Sequence, residues 1–210
     1  MPKTLVIQPL PGIGDMVWHL PHLKAIAEAA PDGRISLLTK RRSAADQMLA
    51  GESWVSEVHW LDRAQGDEAG GRHDGLFGVF RLAADLKTLN ADTVWILHRS
   101  WRYAAASRLA GIPTRIGYRV LPDGGRDLHQ ADKATTLLRA HRIEVDPTPR
   151  LTPTPAAKTE IDRLYGELPR PWLALGIGAS EAFKRWPEEN FAALARAFTD
   201  RTGGSVILIG

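Results

Sequence analysis

Cysteine is absent from the 210-residue chain, so no disulfide framework can hold the fold and no thiolate can serve as nucleophile or metal ligand. That fits a reducing cytoplasm. Long apolar runs are missing too. Nothing approaches the ~20 residues of a membrane span, and the apolar start, Thr4 to Gln8, is interrupted by Pro9, Pro11 and Gly12 before it reaches the length of a secretory core. The chain therefore reads as cytoplasmic, with at most a peripheral contact to a membrane surface. No Asp-x-Asp pair occurs, and His19, His22, His98, His129 and His141 lack metal-ligand spacing, so no metal is expected. Nor is there an internal repeat, a low-complexity segment or a nucleic-acid-binding motif.

What is present is an ordinary globular composition, 44% hydrophobic and 24% charged, far from the polar bias of disordered chains. The net charge is only +3, but it is unevenly placed. Arg99, Arg102, Arg108, Arg115, Arg119, Arg126, Lys133, Arg139, Arg142 and Arg150 face only Asp123, Asp127, Asp132, Glu144 and Asp146 over the same stretch. An arginine-rich segment suits bidentate recognition of phosphate or carboxylate; a solvated basic face accounts for it equally well.

Strand-like and helix-like segments alternate. Apolar runs at 5–7, 35–39, 55–61, 93–97 and 115–118 predict strands, and helical spacing predicts helices over 16–30, 43–50, 76–89, 102–110 and 131–141. Met16, Leu20, Leu23 and Ala27 give the first helix a core face, with Pro21 expected to kink or reset its first turns. Phe77, Phe80, Ala84 and the run 86–89 are the expected core face of the third helix. The polar segment 63–74 reads as a loop. This order argues for a mostly parallel, doubly wound sheet over 1–145. Four prolines between Asp146 and Pro155 mark a linker, taken with a connecting helix at 158–168 as residues 146–170. A new βαβ unit occupies 171–210: strand 172–176, helix 187–201, strand 206–209. Its two continuous apolar strands need cover on both faces, so a further sheet portion is expected beyond Gly210, with this polypeptide alone inactive or nearly so.

Two strand-to-helix loops carry candidate chemistry. The first, Pro11-Gly12-Ile13-Gly14-Asp15, follows the first strand, at the edge where open α/β sheets bind ligands. It is neither a dinucleotide fingerprint, since Val17 stands where that motif wants a third glycine, nor a P-loop. Gly12 and Gly14 allow close approach of backbone to a ligand. Asp15 is a candidate general base; the alternative is a helix-capping carboxylate, and the two roles are compatible. The second loop runs from Gly176 through Gly178, Ala179, Ser180, Lys184, Arg185 and Trp186 to Pro187, which opens the following helix. Glycines, a hydroxyl, two cations and free helix amides make a pyrophosphate cradle, although Glu188 and Glu189 draw on the same positive potential. Among the weaker features, Trp101 between Arg99 and Arg102 is placed to stack on a sugar, Trp186 to brace the second loop, and His129 is the one histidine beside a candidate substrate loop.

Taken in order, strand-Gly-x-Gly-Asp, Ala110-Gly111-Ile112-Pro113-x-Arg115-x-Gly117-Tyr118 and Gly178-Ala179-Ser180-x-x-x-Lys184-Arg185-Trp186-Pro187 resemble glycosyltransferase family nine, best known for ADP-heptose:lipopolysaccharide heptosyltransferases. The resemblance implies a GT-B fold of α/β class: a complete N-terminal Rossmann-like domain for the acceptor and, in this chain, the first βαβ part of a second, nucleotide-sugar-binding one, with the active site between them. It places the catalytic aspartate at Asp15, the donor-phosphate contacts at Ser180 and Lys184 with Gly178 and Ala179, and the acceptor loop at Gly12, Gly14 and Arg115. It implies inverting, metal-independent transfer of heptose or a related sugar, with no cofactor beyond the nucleotide-sugar substrate, ADP-heptose. The acceptor would be an acidic or phosphorylated glycolipid of the lipopolysaccharide core, met at the cytoplasmic face of the inner membrane; no nucleic acid is involved. The segment that recognises base and ribose in the family has no counterpart in these residues. Two alternatives stay open: another GT-B enzyme such as a nucleotide-sugar epimerase, and a non-catalytic module that binds anionic glycans.

Overall fold

The computed structural model describes residues 1–64, 70–75, 77–121, 128–179 and 182–210, and the chain divides into two compact units, Met1–Pro153 and Thr154–Gly210. In the first unit β1 (Thr4–Gln8), β2 (Ile35–Thr39), β3 (Val55–Trp60), β4 (Thr93–Ile96) and β5 (Thr114–Gly117) pair in parallel in the spatial order β3-β2-β1-β4-β5. Helices α1 (Ile13–Ala29), α2 (Ala45–Met48), α3 (Gly78–Thr88), α4 (Trp101–Leu109) and α5 (Gln130–Ala140) cover its two faces. Parallel strands covered on both sides are apolar throughout, which is why β1 reads as an unbroken Leu-Val-Ile run. Its alternation sends Leu5 and Ile7 into a core with α3 and α4, and Val6 into a core with α1 and α5. Each fully buried side chain of this size contributes about 1.5–3 kcal/mol.

The strand order reverses beside β1. The chain leaves β1 for α1 on one face and leaves β4 for α4 on the other, so the two loops part and open a crevice at the carboxyl ends of β1 and β4. That crevice positions the candidate site.

Three expectations change. Helix α1 begins at Ile13 and passes through Pro21 unbroken. Proline forfeits one intrahelical bond, but Leu20, Leu23 and Ile26 on either side are buried, and such packing holds a helix more firmly than propensity does. In α3 the buried residues are Val79, Leu82, Ala83 and Leu86, whereas Phe77 and Phe80 are 70% and 61% exposed. The core stripe is rotated by one residue from the expected one. The helix after the proline-rich segment, α6 (Pro155–Tyr165), starts earlier than residue 158, because the Thr154 hydroxyl accepts the Ala157 N–H and Pro155 stands in the first turn. Residues 150–153 belong to the first unit: the Thr152 N–H donates to the Glu52 carboxylate, and Gly51, having no side chain, admits the Thr152 carbonyl.

The second unit holds α6, β6 (Trp172–Gly176), α7 (Glu188–Thr202) and β7 (Ser205–Ile209), with β6 and β7 parallel. Gly203 ends α7 at φ 64°, a left-handed conformation that suits glycine. Among the described residues no helix is long and apolar enough to cross a membrane.

Where α1 meets α5, His22 and His19 are buried. The Thr135 hydroxyl donates to the Ala131 carbonyl, so the His22 Nε2–H donates to the Thr135 oxygen at 2.9 Å; the His19 Nδ1–H donates to the Asp15 carbonyl at 2.7 Å. Burial favours the neutral form of both rings. Burial, followed by the neighbouring His19, lowers the His22 pKa from 6.5 to about 4, and burial lowers that of His19. A depressed histidine pKa means that the unfolded chain binds the extra proton first. The stability from neutral His22 is therefore complete above pH 6.5 and drains away as pH falls toward 4. Melting temperature is expected to drop across that window, and less steeply in His22→Gln, which keeps a donor for Thr135 and does not titrate. Superimposable pH profiles for the two proteins would refute this.

Candidate active site

Asp15 is the third residue of α1, not its cap. The cap is Gly12, and the Asp15 side chain reaches back so that Oδ2 accepts the Gly12 N–H at 3.0 Å, the return half of a capping box. Oδ1 makes no hydrogen bond among the described residues. One oxygen fixes the half-buried carboxylate and leaves the other uncommitted, so capping does not exclude a proton-accepting role. A Cβ on Gly12 would fall 2.8 Å from that Oδ2 and push it aside, whereas one on Gly14 would meet nothing within 4 Å. A side chain at position 12 would displace the capping carboxylate, whereas position 14 has room for one.

Around the crevice lie two basic cavities of the first unit. The larger, about 550 Å³, is lined by Lys40, Arg41, Arg42, Arg63, Arg72 and His73 among others. Arg41 stacks over Trp60 at 5.0 Å, while Arg63 and Arg72 pair with Asp74 at 2.9 Å and Asp85 at 2.8 Å. These cations were not singled out in the sequence, although Lys40-Arg41-Arg42 directly after the β2 run marks the ligand-binding edge of the sheet. The smaller cavity, about 260 Å³, is lined by His98, Arg99, Trp101, Arg115 and Tyr118 among others. Arg115 spends its guanidinium on its own turn, donating to the carbonyls of Ile112 and Pro113. Trp101 is 61% exposed. The His129 ring lies 4.4 Å from that of Trp18 and its Nδ1 accepts the Ala131 N–H, capping α5.

In the second unit, Gly178 and Ala179 follow β6, and Ser180 lies outside the described residues, as does the segment 122–127 with Arg126. A Cβ on Gly178 would make only an ordinary contact, 3.6 Å from Gly210, so this glycine too leaves room that packing does not claim. Residues Ala182–Lys184 form a 3-10 turn, and exposed Lys184 holds its Nζ 5.4 Å from the centre of the Phe183 ring. Trp186 packs edge-on against Phe191 of α7 at 4.9 Å, which fixes the exit of the loop. Pro187 is the cap of α7 rather than its first residue, and Glu188 and Glu189 fill the first turn. Among the described residues no group of histidine and carboxylate side chains is arranged to hold a metal ion.

Residues 79–210 match the family model described as glycosyltransferase family 9 (heptosyltransferase). The chain belongs to glycosyltransferase family 9. The match takes in the Ala110–Tyr118 motif and the Lys184 loop, while Asp15 lies before it. The fold extends the likeness over the whole chain. ADP-heptose lipopolysaccharide heptosyltransferase II of E. coli superposes with a TM-score of 0.69 at 21% identity, covering 99% of this chain and 64% of that one. A family 9 glycosyltransferase from Veillonella parvula gives 0.72 at 20%, covering 100% and 62%. The E. coli heptosyltransferase WaaC, solved with ADP-2-deoxy-2-fluoro heptose, gives 0.58 at 15%, covering 99% and 69%. The chain thus spans less than two thirds of the length of the first two. Comparison with curated proteins gave no match.

The two glycines of the loop after β1 should behave oppositely. Gly14→Ala places a better helix former in open space and is expected to raise unfolding stability by roughly 0.5–1 kcal/mol. Gly12→Ala, by displacing the Asp15 carboxylate, lowers it. Urea unfolding of both variants checks this, and a destabilised Gly14→Ala would show that the fold itself requires that glycine.

Proposed function

We propose that the protein is an inverting, metal-independent glycosyltransferase that moves heptose, or a related sugar, from a nucleoside-diphosphate donor such as ADP-heptose to an anionic lipopolysaccharide-core acceptor. The observation that carries this is the Asp15 carboxylate, anchored through one oxygen at the carboxyl end of the central strand with its second oxygen uncommitted. Family membership and the ADP-heptose named for related structures support the substrate class.

In this reading the acceptor hydroxyl attacks the anomeric carbon and passes its proton to Asp15 Oδ1. The bond from that carbon to the diphosphate oxygen breaks on the opposite face, and its electron pair leaves with the nucleoside diphosphate. Lys184, the Ser180 hydroxyl and the backbone around Gly178 and Ala179 offset the charge that develops on the leaving group. Gly14 gives the acceptor its close approach. Arg115, tied to its own turn, shapes the smaller cavity and offers its remaining N–H groups to an anion. The reaction takes place in the cytoplasm, at the inner face of the membrane where a glycolipid acceptor presents its core sugars.

Asp15→Asn is the decisive variant. An amide oxygen can still accept the Gly12 N–H, so folding should be retained, while loss of the base is expected to lower kcat by about 10²–10⁴-fold in the full-length protein. Asp15→Ala should cost in addition roughly 0.5–1.5 kcal/mol of stability by freeing the Gly12 N–H. Undiminished sugar transfer by Asp15→Asn would sink the general-base role of Asp15, and acceptor binding without any transfer by the full-length wild type would leave a glycan-binding module in place of the enzyme.

A further inference from the structure

Helix α3 carries more apolar surface than the core consumes. Its buried stripe, Val79, Leu82, Ala83 and Leu86, faces the sheet, yet Phe77, Phe80 and Ala84 are exposed on the outward side. Phe77 and Phe80 stand three residues apart and are therefore neighbours on the helix surface. A single exposed apolar side chain needs no explanation, but a group of them does. Helix α4 repeats the arrangement: Tyr103 and Ala106 enter the same core, while Trp101 and Leu109 are exposed. The two helices start together. Nη2 of Arg102, in the first turn of α4, donates to the Gly75 carbonyl at 2.8 Å and to that of His73 at 3.2 Å, just ahead of Phe77. Phe77, Phe80 and Trp101 thus belong to one outward surface, at the end of these helices that adjoins the carboxyl edge of the sheet.

The charge on that surface has one sign. Arg81 and Lys87 of α3 and Arg108 of α4 are exposed, and among the described residues none of the three makes an ion pair. Helix α4 contains no acidic residue, and the one acid of α3, Asp85, is taken by Arg72 and His73, each at 2.8 Å. A second copy of the chain suits such a face badly. A two-fold contact sets one patch against itself, which here brings cations against cations with no free carboxylate between them. An anionic bilayer matches both halves of the pattern. Aromatic rings settle at headgroup level, and the Lys and Arg beside them gain from the negative surface potential.

We propose that the outward face of α3 and α4 docks on an anionic bilayer, with Phe77 and Phe80 entering the headgroup region and Arg81, Lys87 and Arg108 meeting lipid phosphates. The inference rests on the membrane-side location proposed above and names the surface that achieves it. Docking at this end of the helices keeps the carboxyl edge of the sheet beside the layer that holds a glycolipid acceptor.

Co-sedimentation of the chain with phosphatidylethanolamine vesicles, containing or lacking phosphatidylglycerol, is the test. Binding should require phosphatidylglycerol and weaken as salt rises. Phe77→Ser combined with Phe80→Ser should weaken it by at least about tenfold. Arg81→Gln combined with Lys87→Gln should weaken it by roughly fivefold per cation. Neither pair should lower the melting temperature, since all four side chains are exposed. Because the chain has no cysteine, an environment-sensitive fluorophore on Phe80→Cys reports that position alone. Its emission should move to the blue when vesicles are added, whereas the same label on Lys24→Cys, exposed on α1 at the other face of the sheet, should not respond. The proposal is overturned by absence of binding to phosphatidylglycerol vesicles, by binding that survives the double serine variant, or by a response at position 24 in place of 80. Self-association without lipid that the double serine variant abolishes also overturns it, making this face a contact between copies. In the full-length protein the double serine variant should transfer sugar to a soluble, lipid-free acceptor undiminished, and Asp15→Asn should leave vesicle binding intact. Failure of docking and failure of the general-base role are therefore separate results.

Discussion

In a parallel sheet every strand ends at the same edge, and here β1 lies between β2 and β4 in continuous register. The helices that follow β1 and β4 depart to opposite faces. No single side chain creates the resulting crevice; it is a consequence of strand order. Three chain segments far apart in sequence, around residues 15, 40 and 98, are carried to that edge together. Helix α5 packs on α1, with His22 bonded to Thr135 across the contact.

Electrostatics then divide the edge. The single carboxylate of the loop after β1 is held by a backbone N–H rather than by a cation, which keeps a lone pair available for a proton. Cations line two cavities of the first unit, and part of their charge is spent internally on Asp74 and Asp85. Basic cavities of this kind favour anionic ligands.

The second unit makes its contribution through local geometry alone. Its βαβ segment needs only neighbouring residues to form: β6 pairs with β7, Gly203 turns the chain between α7 and β7, and Trp186 on Phe191 sets the exit of the Lys184 loop. Gly14 in the first unit and Gly178 in the second share a property. Each occupies a position where the described residues leave room for a side chain.

The sequence by itself determined the seven strands, the order of the helices and the two loops worth inspecting, because apolar periodicity and glycine-bearing turns are local properties of the chain. Motif spacing was enough to identify the family. It misplaced the core stripe of α3 by one residue, setting Phe77 and Phe80 inside, since periodicity gives the width of an apolar face but not which edge of it meets the sheet. Only the tertiary structure decided that Asp15 binds Gly12 through one oxygen, that Arg115 serves its own turn, and that His22 meets Thr135 where α1 crosses α5. Those relations depend on the fixed spacing of neighbouring strands and on one helix crossing another, distances that sequence separation does not encode.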